Sequence, residues 1–334
     1  MTSAPFKYAF AHADDFDKIV NKIIKKVPHE VADTHFHPSS FGHWCRRREV
    51  LRLLKQHLKV AVPRSKPAPG LQRIFAIGNA VHDHFRDTVF SELLRGSWVC
   101  RRCGQTTEKD APCPKKCSTC GNTRYHSLWH AFSYKEESLV YPEAQLSGSY
   151  DGLIEYRDRL RVLELKSIRE DLFKTLQAPY TGHVVQAHAY GIMLRATGRD
   201  IKSALIVYVN KSSGATKAFL VGFMPEVSDW LLKEIAAARD LAKENYTAVR
   251  TVTDIGILAQ GPEFTARAAV VCTSPTTSRA KSCASCSECF AKKRKEKKHG
   301  IDQSAQPEQA GGEEDGETGG EADSAEDADE GSGS

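Results

Sequence analysis

Two neighbouring segments in the middle of the chain carry charged side chains in a pattern suited to phosphodiester chemistry. Asp151 lies in one strand-like run, and Glu164 and Lys166 lie two residues apart in the next. Residues two apart on a strand share a face, so Leu163 and Leu165 turn to the other face. Converging Asp151 and Glu164 carboxylates would hold Mg²⁺ or Mn²⁺, and Lys166 would stabilise charge on a phosphate. The pattern predicts phosphodiester cleavage, although E-x-K alone also fits an ordinary surface hairpin.

Two further pairs of residues are spaced four apart, which places each pair on one face of a helix. Gly78 and His82 belong to a helical pattern before the acidic segment, and Gln186 and Tyr190 belong to one after it. Ordinary structural roles remain open for these residues. His82 also fits a hydrogen-bonded core histidine, and Gln186 and Tyr190 also fit packing against a sheet.

The ten cysteines form two groups whose spacing favours metal ligation over disulfides. The first group has two C-x2-C knuckles, each followed by glycine, and predicts a tetrahedral zinc ribbon with Cys113 as a substitute ligand. This ribbon is either a structural staple or a surface that contacts DNA or a protein partner. The knuckle residues are Cys100, Cys103, Cys117 and Cys120.

In chain order, these motifs resemble those of the PD-(D/E)XK nucleases. The matching set is G-x-x-x-H at 78–82, Asp151, E-x-K at 164–166 and Q-x-x-x-Y at 186–190. Within that superfamily the chain resembles the RecB-type branch, which includes AddB nuclease domains and the CRISPR-associated iron-sulfur exonucleases. The resemblance implies a restriction-endonuclease-like core. It also implies site roles for Asp151, Glu164, His82 and the Leu165 carbonyl as ligands of the catalytic ion, for Lys166 in positioning the attacking hydroxide, and for Gln186 and Tyr190 in steering the strand.

The second cysteine group gains its expected role from the same resemblance. Members of this branch often carry one early and three late cysteines that bind a [4Fe-4S] cluster, which implies Cys45 with Cys283, Cys286 and Cys289 here. The last two cysteines are closer together than is usual in the family, and Cys272 is a reserve ligand. A zinc site built from the four late cysteines is the alternative, because thiolates accept both zinc and iron.

Hydrophobic periodicity predicts the elements that position these residues. Helical spacing runs from Gln72 to Leu94, over 181–196 and over 226–246, and strand-like alternation covers 139–146, 149–156, 161–167, 203–210 and 216–223. Residues 157–159 are predicted to form a hairpin turn. The alternation of elements predicts an α/β fold with a central mixed sheet flanked by helices. The expected domains are an N-terminal helical part (1–96), the ribbon insert (97–126), the nuclease core with the late cysteines (127–299) and a disordered acidic tail (300–334).

The charge of the chain is divided unevenly along its length. Residues 302–334 contain twelve acidic side chains and no Lys or Arg. The rest of the chain therefore contains the other 30 acidic side chains and all 47 basic ones. A body carrying about 17 excess positive charges favours a polyanionic partner such as DNA. No run approaches 18 apolar residues and the first residues lack a secretory pattern, so we expect no membrane span and a cytoplasmic protein, or one in a host cytoplasm if phage-encoded.

Together these features predict a divalent-metal-dependent DNA nuclease, with single strands or ends as the favoured substrate of an exonuclease. The expected partners are DNA and proteins of recombination, repair, replication or CRISPR adaptation. A non-catalytic nucleic-acid-binding module with a nuclease-like fold and zinc-stapled ends is the alternative. Asp151, Glu164 and Lys166 are all present in the order of the motif. This argues against that alternative, because a non-catalytic module does not need these residues.

Overall fold

The computed structural model describes residues 35–60, 68–123 and 131–268 of the chain. The first part consists of a 3-10 turn at Pro38–His43, helix α1 at Arg46–His57, helix α2 at Pro69–His84 and a π-helical turn at Phe85–Val89. The helix predicted to reach Leu94 is shorter, because Leu94 already begins a strand. The four late cysteines and the predicted acidic tail lie outside the described residues.

Nine strands are found in the described part. They are β1 (Leu94–Cys100), β2 (Ala111–Pro112), β3 (Phe132–Lys135), β4 (Glu137–Tyr141), β5 (Leu146–Tyr150), β6 (Gly152–Tyr156), β7 (Arg159–Ile168), β8 (Ser203–Asn210) and β9 (Thr216–Gly222). Strands β4 and β5 form an antiparallel pair, and the others form one sheet in the order β2-β1-β6-β7-β8-β9, with β3 also on β1. Only β7 and β8 run parallel among these described pairs, so the sheet is mixed.

Helices connect and cover the sheet. Helices α3 (Glu170–Thr175) and α4 (Thr181–Ala196) carry the chain from β7 to β8, since a parallel pair requires a long crossover. Helices α5 (Pro225–Glu244), α6 (Val252–Gln260) and α7 (Pro262–Arg267) follow β9. The predicted α/β architecture with a central mixed sheet flanked by helices is confirmed. None of the described helices is both long and apolar enough to cross a bilayer.

Strand β7 has a buried layer on each of its faces. Val162 packs in a cluster with residues of α1, α4 and α5, whereas Leu163 and Leu165 pack in a second cluster with Trp98 and Phe132. Successive strand residues point to opposite faces, which explains this division. Glu164 and Lys166 therefore belong to the face that α4 covers.

The β6–β7 hairpin sets the position of Asp151. Its turn residues, Arg157 and Asp158, have φ of 52° and 56°, as in the tight two-residue turns that match strand twist. The resulting register pairs Gly152 with Leu163. Asp151, one residue earlier, therefore lies beside the part of β7 that carries Glu164.

Two segments differ from the sequence prediction. The run predicted as one strand over 139–146 is divided between β4 and β5 by a 3-10 turn at Pro142–Ala144. Strand β1 pairs with β6 at Leu94 and Arg95 and continues to Cys100. It therefore crosses the boundary expected between residues 96 and 97.

The contact between the 3-10 turn and α4 provides a test of this packing. A methyl group at Gly182 would lie 2.8 Å from the Cα of Gly42, so Gly182→Ala is expected to destabilise the fold by about 1–3 kcal/mol through overpacking. Gly256→Ala is the control, because nothing lies within 4 Å of its added methyl and alanine favours a helix by about 0.5–1 kcal/mol. Denaturant unfolding measures both, and equal stabilities of the two variants would contradict this packing.

Candidate active site and cysteine cluster

Asp151 lies at the corner where β5 ends and β6 begins. Its Oδ2 accepts a hydrogen bond from the backbone N–H of Leu165 at 2.7 Å, which ties the corner to the centre of β7. Its Oδ1 lies 3.2 Å from Nδ1 of His82 on α2. Burial raises the pKa of Asp151, but His82, Lys166 and the Leu165 N–H together outweigh burial and lower it. Asp151 is thus an ionised carboxylate with both oxygens engaged.

Glu164 is the most deeply buried acid of the site, with 1% of its surface exposed. It forms an ion pair with Lys166, yet neither carboxylate oxygen has a hydrogen-bond partner. Burial raises the pKa of Glu164 to about 7, and the charge of Asp151 adds to this while Lys166 opposes it. A buried charge without hydrogen bonds is energetically costly, so a second cation next to Glu164 would stabilise its charged form.

Lys166 is the cation that lies beside Glu164 on β7. Burial alone would lower its pKa, but Glu164 and Asp151 raise it above its ordinary value. The ammonium is therefore held in its charged form. Its side chain remains 24% exposed, so it lies between the buried acid and the solvent.

Helix α2 and its π-helical turn bring a second cation to Asp151. Arg86 is 5% exposed, and its guanidinium contacts Asp83 at 2.6 Å, Asp151 at 3.5 Å and also Glu136. Sequence reasoning missed Arg86 and Glu136. The spacing of four between His82 and Arg86 was a usable signal, but the π-helical turn that aims Arg86 inward was not predictable from the periodicity.

Gln186 and Tyr190 face the site from α4. Both are buried, and the Tyr190 hydroxyl donates to the backbone carbonyl of Ser149 at 2.6 Å. Burial, reinforced by the charge of Glu164, raises the pKa of Tyr190. Tyr190 therefore holds the end of β5, two residues before Asp151.

Two residues at the edge of the site also escaped sequence analysis. Tyr208 pairs in register with Lys166 on the neighbouring strand, and its hydroxyl lies 2.8 Å from Nδ1 of His183. Burial lowers the pKa of His183 to about 4, and the charges of Lys166 and His43 contribute. Neither residue belongs to a motif, so only the β7–β8 pairing reveals their position.

The structure brings the predicted acidic residues together as a connected network, though not as a compact metal cage. Within residues 35–60, 68–123 and 131–268, one set of three or more His, Cys, Asp or Glu ligand atoms lies within 4.8 Å of one another, and it is the cysteine set. His82 and Asp151 are in contact, so it is Glu164 whose ligand atoms do not lie within that distance of both. The backbone of Leu165 contacts Asp151 through its N–H, and its side chain packs on the opposite face.

The predicted knuckle cysteines form a compact cluster. Sγ of Cys100 lies 3.7 Å from that of Cys120, and Sγ of Cys103 lies 3.6 Å from that of Cys117. Burial raises the pKa of Cys100, but backbone N–H groups of the knuckle and the neighbouring Cys120 outweigh it and bring the pKa to about 6. The four Sγ atoms all lie within 4.8 Å of one another, so the cluster is compatible with metal binding, in which cysteine takes part as the thiolate. Cys113 does not belong to it.

The cysteine cluster is continuous with the core behind β7. Cys100 and Cys117 belong to the same buried cluster as Trp98, Leu163 and Leu165. A polar connection runs beside it.

This polar connection begins at Arg101, between the two cysteines of the first knuckle. Its Nη2 donates to Oδ2 of Asp87 at 2.6 Å, and Oδ1 of Asp87 accepts the N–H of Tyr134. Asp87 follows Arg86 directly in the π-helical turn. The knuckle is thereby linked to the residue that contacts Asp151.

Cys45 is the one described member of the predicted iron-sulfur set, because Cys283, Cys286 and Cys289 lie outside the described residues. It occupies the N-cap of α1. The neighbouring Arg46 donates from Nη1 to the carbonyl of Arg267 at 3.0 Å. Cys45 therefore lies near the point from which the chain continues towards the late cysteines.

Comparisons with known proteins give little further information. No family model matches the chain, and no curated protein matches it. Among solved structures, the crystal structure of SSO0001 is similar, with 13% identity and a TM-score of 0.30 over 78% of this chain and 95% of that one. A likeness this distant carries no argument about family or activity.

The shared core predicts that metal at the cysteine cluster stabilises the whole fold. Cys117→Ser should lose the bound metal and lower the free energy of unfolding by several kcal/mol, on the order expected for a structural site. Cys113→Ser is the matched control and should retain both the metal content and the thermal midpoint. Elemental analysis with thermal unfolding measures this, and unchanged stability of metal-free Cys117→Ser would contradict it.

Proposed function

We propose that this chain is a divalent-metal-dependent DNA nuclease of the PD-(D/E)XK superfamily. We place it in the RecB-type branch, as an exonuclease that acts on single strands or ends. The observation that carries the proposal is Glu164, a buried carboxylate beside the ionised Asp151 that has no hydrogen-bond partner and pairs only with Lys166. Such a carboxylate pair suits a hard divalent cation.

The residues present fit Mg²⁺ or Mn²⁺ in their chemistry. Asp151 and Glu164 offer carboxylate oxygens, His82 offers a ring nitrogen, and the carbonyl of Leu165 is a further oxygen in the same strand. When bound, the ion would lower the pKa of a water molecule and supply the attacking hydroxide. The separation of Glu164 from His82 and Asp151 implies that the three side chains move closer on binding, or that water bridges some of them.

Other side chains of the site would position the reacting groups and stabilise charge. Lys166 is held charged and partly exposed, so it can position the attacking oxygen or stabilise charge on the phosphate. Arg86 anchors Asp151, and its own burial keeps the carboxylate in one position. Tyr190 supports the β5 end of the site through Ser149, and both Gln186 and Tyr190 are buried, so they would act on the strand only through such support or after a local rearrangement.

Zinc is the metal we assign to Cys100, Cys103, Cys117 and Cys120. Four thiolates within one small cluster match the closed tetrahedral sites that zinc occupies in ribbons. Because the cluster shares its core with β7, we assign it a structural role. Reduced thiols of this kind suit a cytoplasmic protein.

For Cys45, Cys283, Cys286 and Cys289 we propose a [4Fe-4S] cluster that joins the two ends of the nuclease domain. The Arg46 contact with Arg267 supports this, since fifteen residues from Ala268 to Cys283 span ample distance to return to Cys45. The cluster would be structural, because hydrolysis of a phosphodiester transfers no electrons.

Glu164→Gln is the decisive test of the activity. The variant should lose divalent-dependent degradation of end-labelled single- and double-stranded DNA by more than about a hundredfold, since it removes the ligand charge. Without added divalent ions it should unfold at the same or a higher temperature than the original protein, because the raised pKa of Glu164 shows that the charged form is unfavourable in the fold.

Glu155→Gln is the matched control for this test. Glu155 lies on the same hairpin, where it pairs with Arg95 of β1, and it is 43% exposed. The variant should retain cleavage in the presence of Mg²⁺ or Mn²⁺. Cleavage by Glu164→Gln at the original rate would overturn the assignment, and DNA binding without cleavage by the original protein would favour the non-catalytic binding module.

Cys45→Ser tests the proposed cluster. Protein purified without oxygen should be brown with iron and sulfide bound, and this variant should be colourless and less stable while zinc at the ribbon is retained. Metal analysis with visible spectroscopy measures both metals. A colourless original protein that holds two zinc ions would instead indicate a late-cysteine zinc site.

A further inference from the structure

A second charged site lies at the far end of β7 from Lys166. A cleft of about 350 Å³ opens there, lined by Arg159, Leu160, Arg161, Asp200, Lys202 and Ser203. Arg161 lies three residues before Glu164, about 10 Å along the strand, and alternation points it to the opposite face. The cleft is therefore separate from the acidic site.

Arg161 is the residue that makes this cleft unusual. It is 8% exposed, and its guanidinium donates from Nε to the carbonyl of Tyr156 at 3.1 Å and from Nη1 to the hydroxyl of Ser203. Its Cζ also lies 5.9 Å from the ring centre of Tyr156, and no acidic group pairs with Arg161 among the residues that the structure describes. By contrast Arg86, which is equally buried, contacts three carboxylates.

A buried cation without a counter-charge is costly, by an effective several kcal/mol. The neighbouring charges do not relieve this cost. Arg159 and Lys202 add two more cations at the cleft, and its one acid, Asp200, is paired with Lys202 at 3.2 Å and is largely exposed. The lining carries three positive charges against one negative, so an anion of about two negative charges would balance it.

We propose that this cleft binds a phosphate group. A phosphate monoester matches the net charge, and its oxygens match the forked N–H geometry of an arginine and the hydroxyl of Ser203. The phosphate could belong to a free nucleotide, whose monoester carries about two negative charges, or to a nucleic-acid strand, in which two backbone phosphodiesters together carry the same charge. This proposal does not depend on cleavage at the acidic site.

The test is a ³¹P NMR titration of the full chain with inorganic phosphate at constant ionic strength, without added divalent ions. Binding should saturate, and Lys202→Ala and Arg159→Ala should each weaken it by about tenfold, the loss expected for one charge-assisted contact. Arg161→Met should abolish it while keeping the fold, because an apolar side chain replaces an unpaired buried charge.

Arg169→Ala is the matched control. Arg169 follows the other end of β7, is largely exposed and pairs with Asp171, so its removal changes the net charge equally without touching the cleft. Phosphate affinity should not change in this variant. Absence of saturable binding, or equal affinities of Lys202→Ala and Arg169→Ala, would overturn the proposal.

Two competitors distinguish the sources of the phosphate. Displacement of inorganic phosphate by AMP alone would support a nucleotide ligand. Displacement by a single-stranded oligonucleotide without terminal phosphates, weakened in Lys202→Ala but not in Arg169→Ala, would support a strand backbone. Failure of both competitors to displace phosphate would overturn a nucleotide or nucleic-acid source and leave the cleft specific for the inorganic ion.

Discussion

The carboxylate of Glu164, almost fully removed from water in the central strand, is the constraint around which the described fold is arranged. A charge in this position is unfavourable unless other charges surround it. Lys166 forms an ion pair with it on the same strand. Asp151 is a second negative charge nearby, and His82 and Arg86 both contact Asp151. The members come from β7, the β5–β6 corner, α2 and its π-helical turn, so the network fixes these elements relative to one another.

Successive side chains of β7 point to opposite faces of the sheet, and this alternation gives the network its rigid support. One face of the strand presents Glu164 and Lys166, and the other buries Leu163 and Leu165 against the core that includes the cysteine cluster. The cysteine cluster is therefore connected to the acidic site by two routes of contacts. The apolar route passes directly through the strand, and the polar route passes from Arg101 through Asp87 to the turn that holds Arg86.

Local sequence patterns predicted the parts of this arrangement that depend on local spacing. The β6–β7 hairpin, the helix carrying Gln186 and Tyr190, and the shared face of Glu164 and Lys166 all follow from periods of two or four residues. The division of 139–146 comes from the short turn at Pro142–Ala144 inside a local hairpin, whereas the continuation of β1 to Cys100 depends on partners farther along the chain. Arg86 was missed although it lies four residues after His82, because local spacing does not show which carboxylates surround its guanidinium.

The two acids of the site are held in opposite electrostatic states. Asp151 has a hydrogen-bond or ion-pair partner for each oxygen and a lowered pKa, whereas Glu164 has only the Lys166 ion pair at Oε1 and a pKa of about 7. Pairs of carboxylates whose environments separate their pKa values are characteristic of functional sites, since a purely structural pair gains nothing from leaving one member unsatisfied. Asp151 fixes the geometry of the corner. Glu164 remains buried without a hydrogen bond, and this state distinguishes the strand from a hairpin that merely alternates its charges.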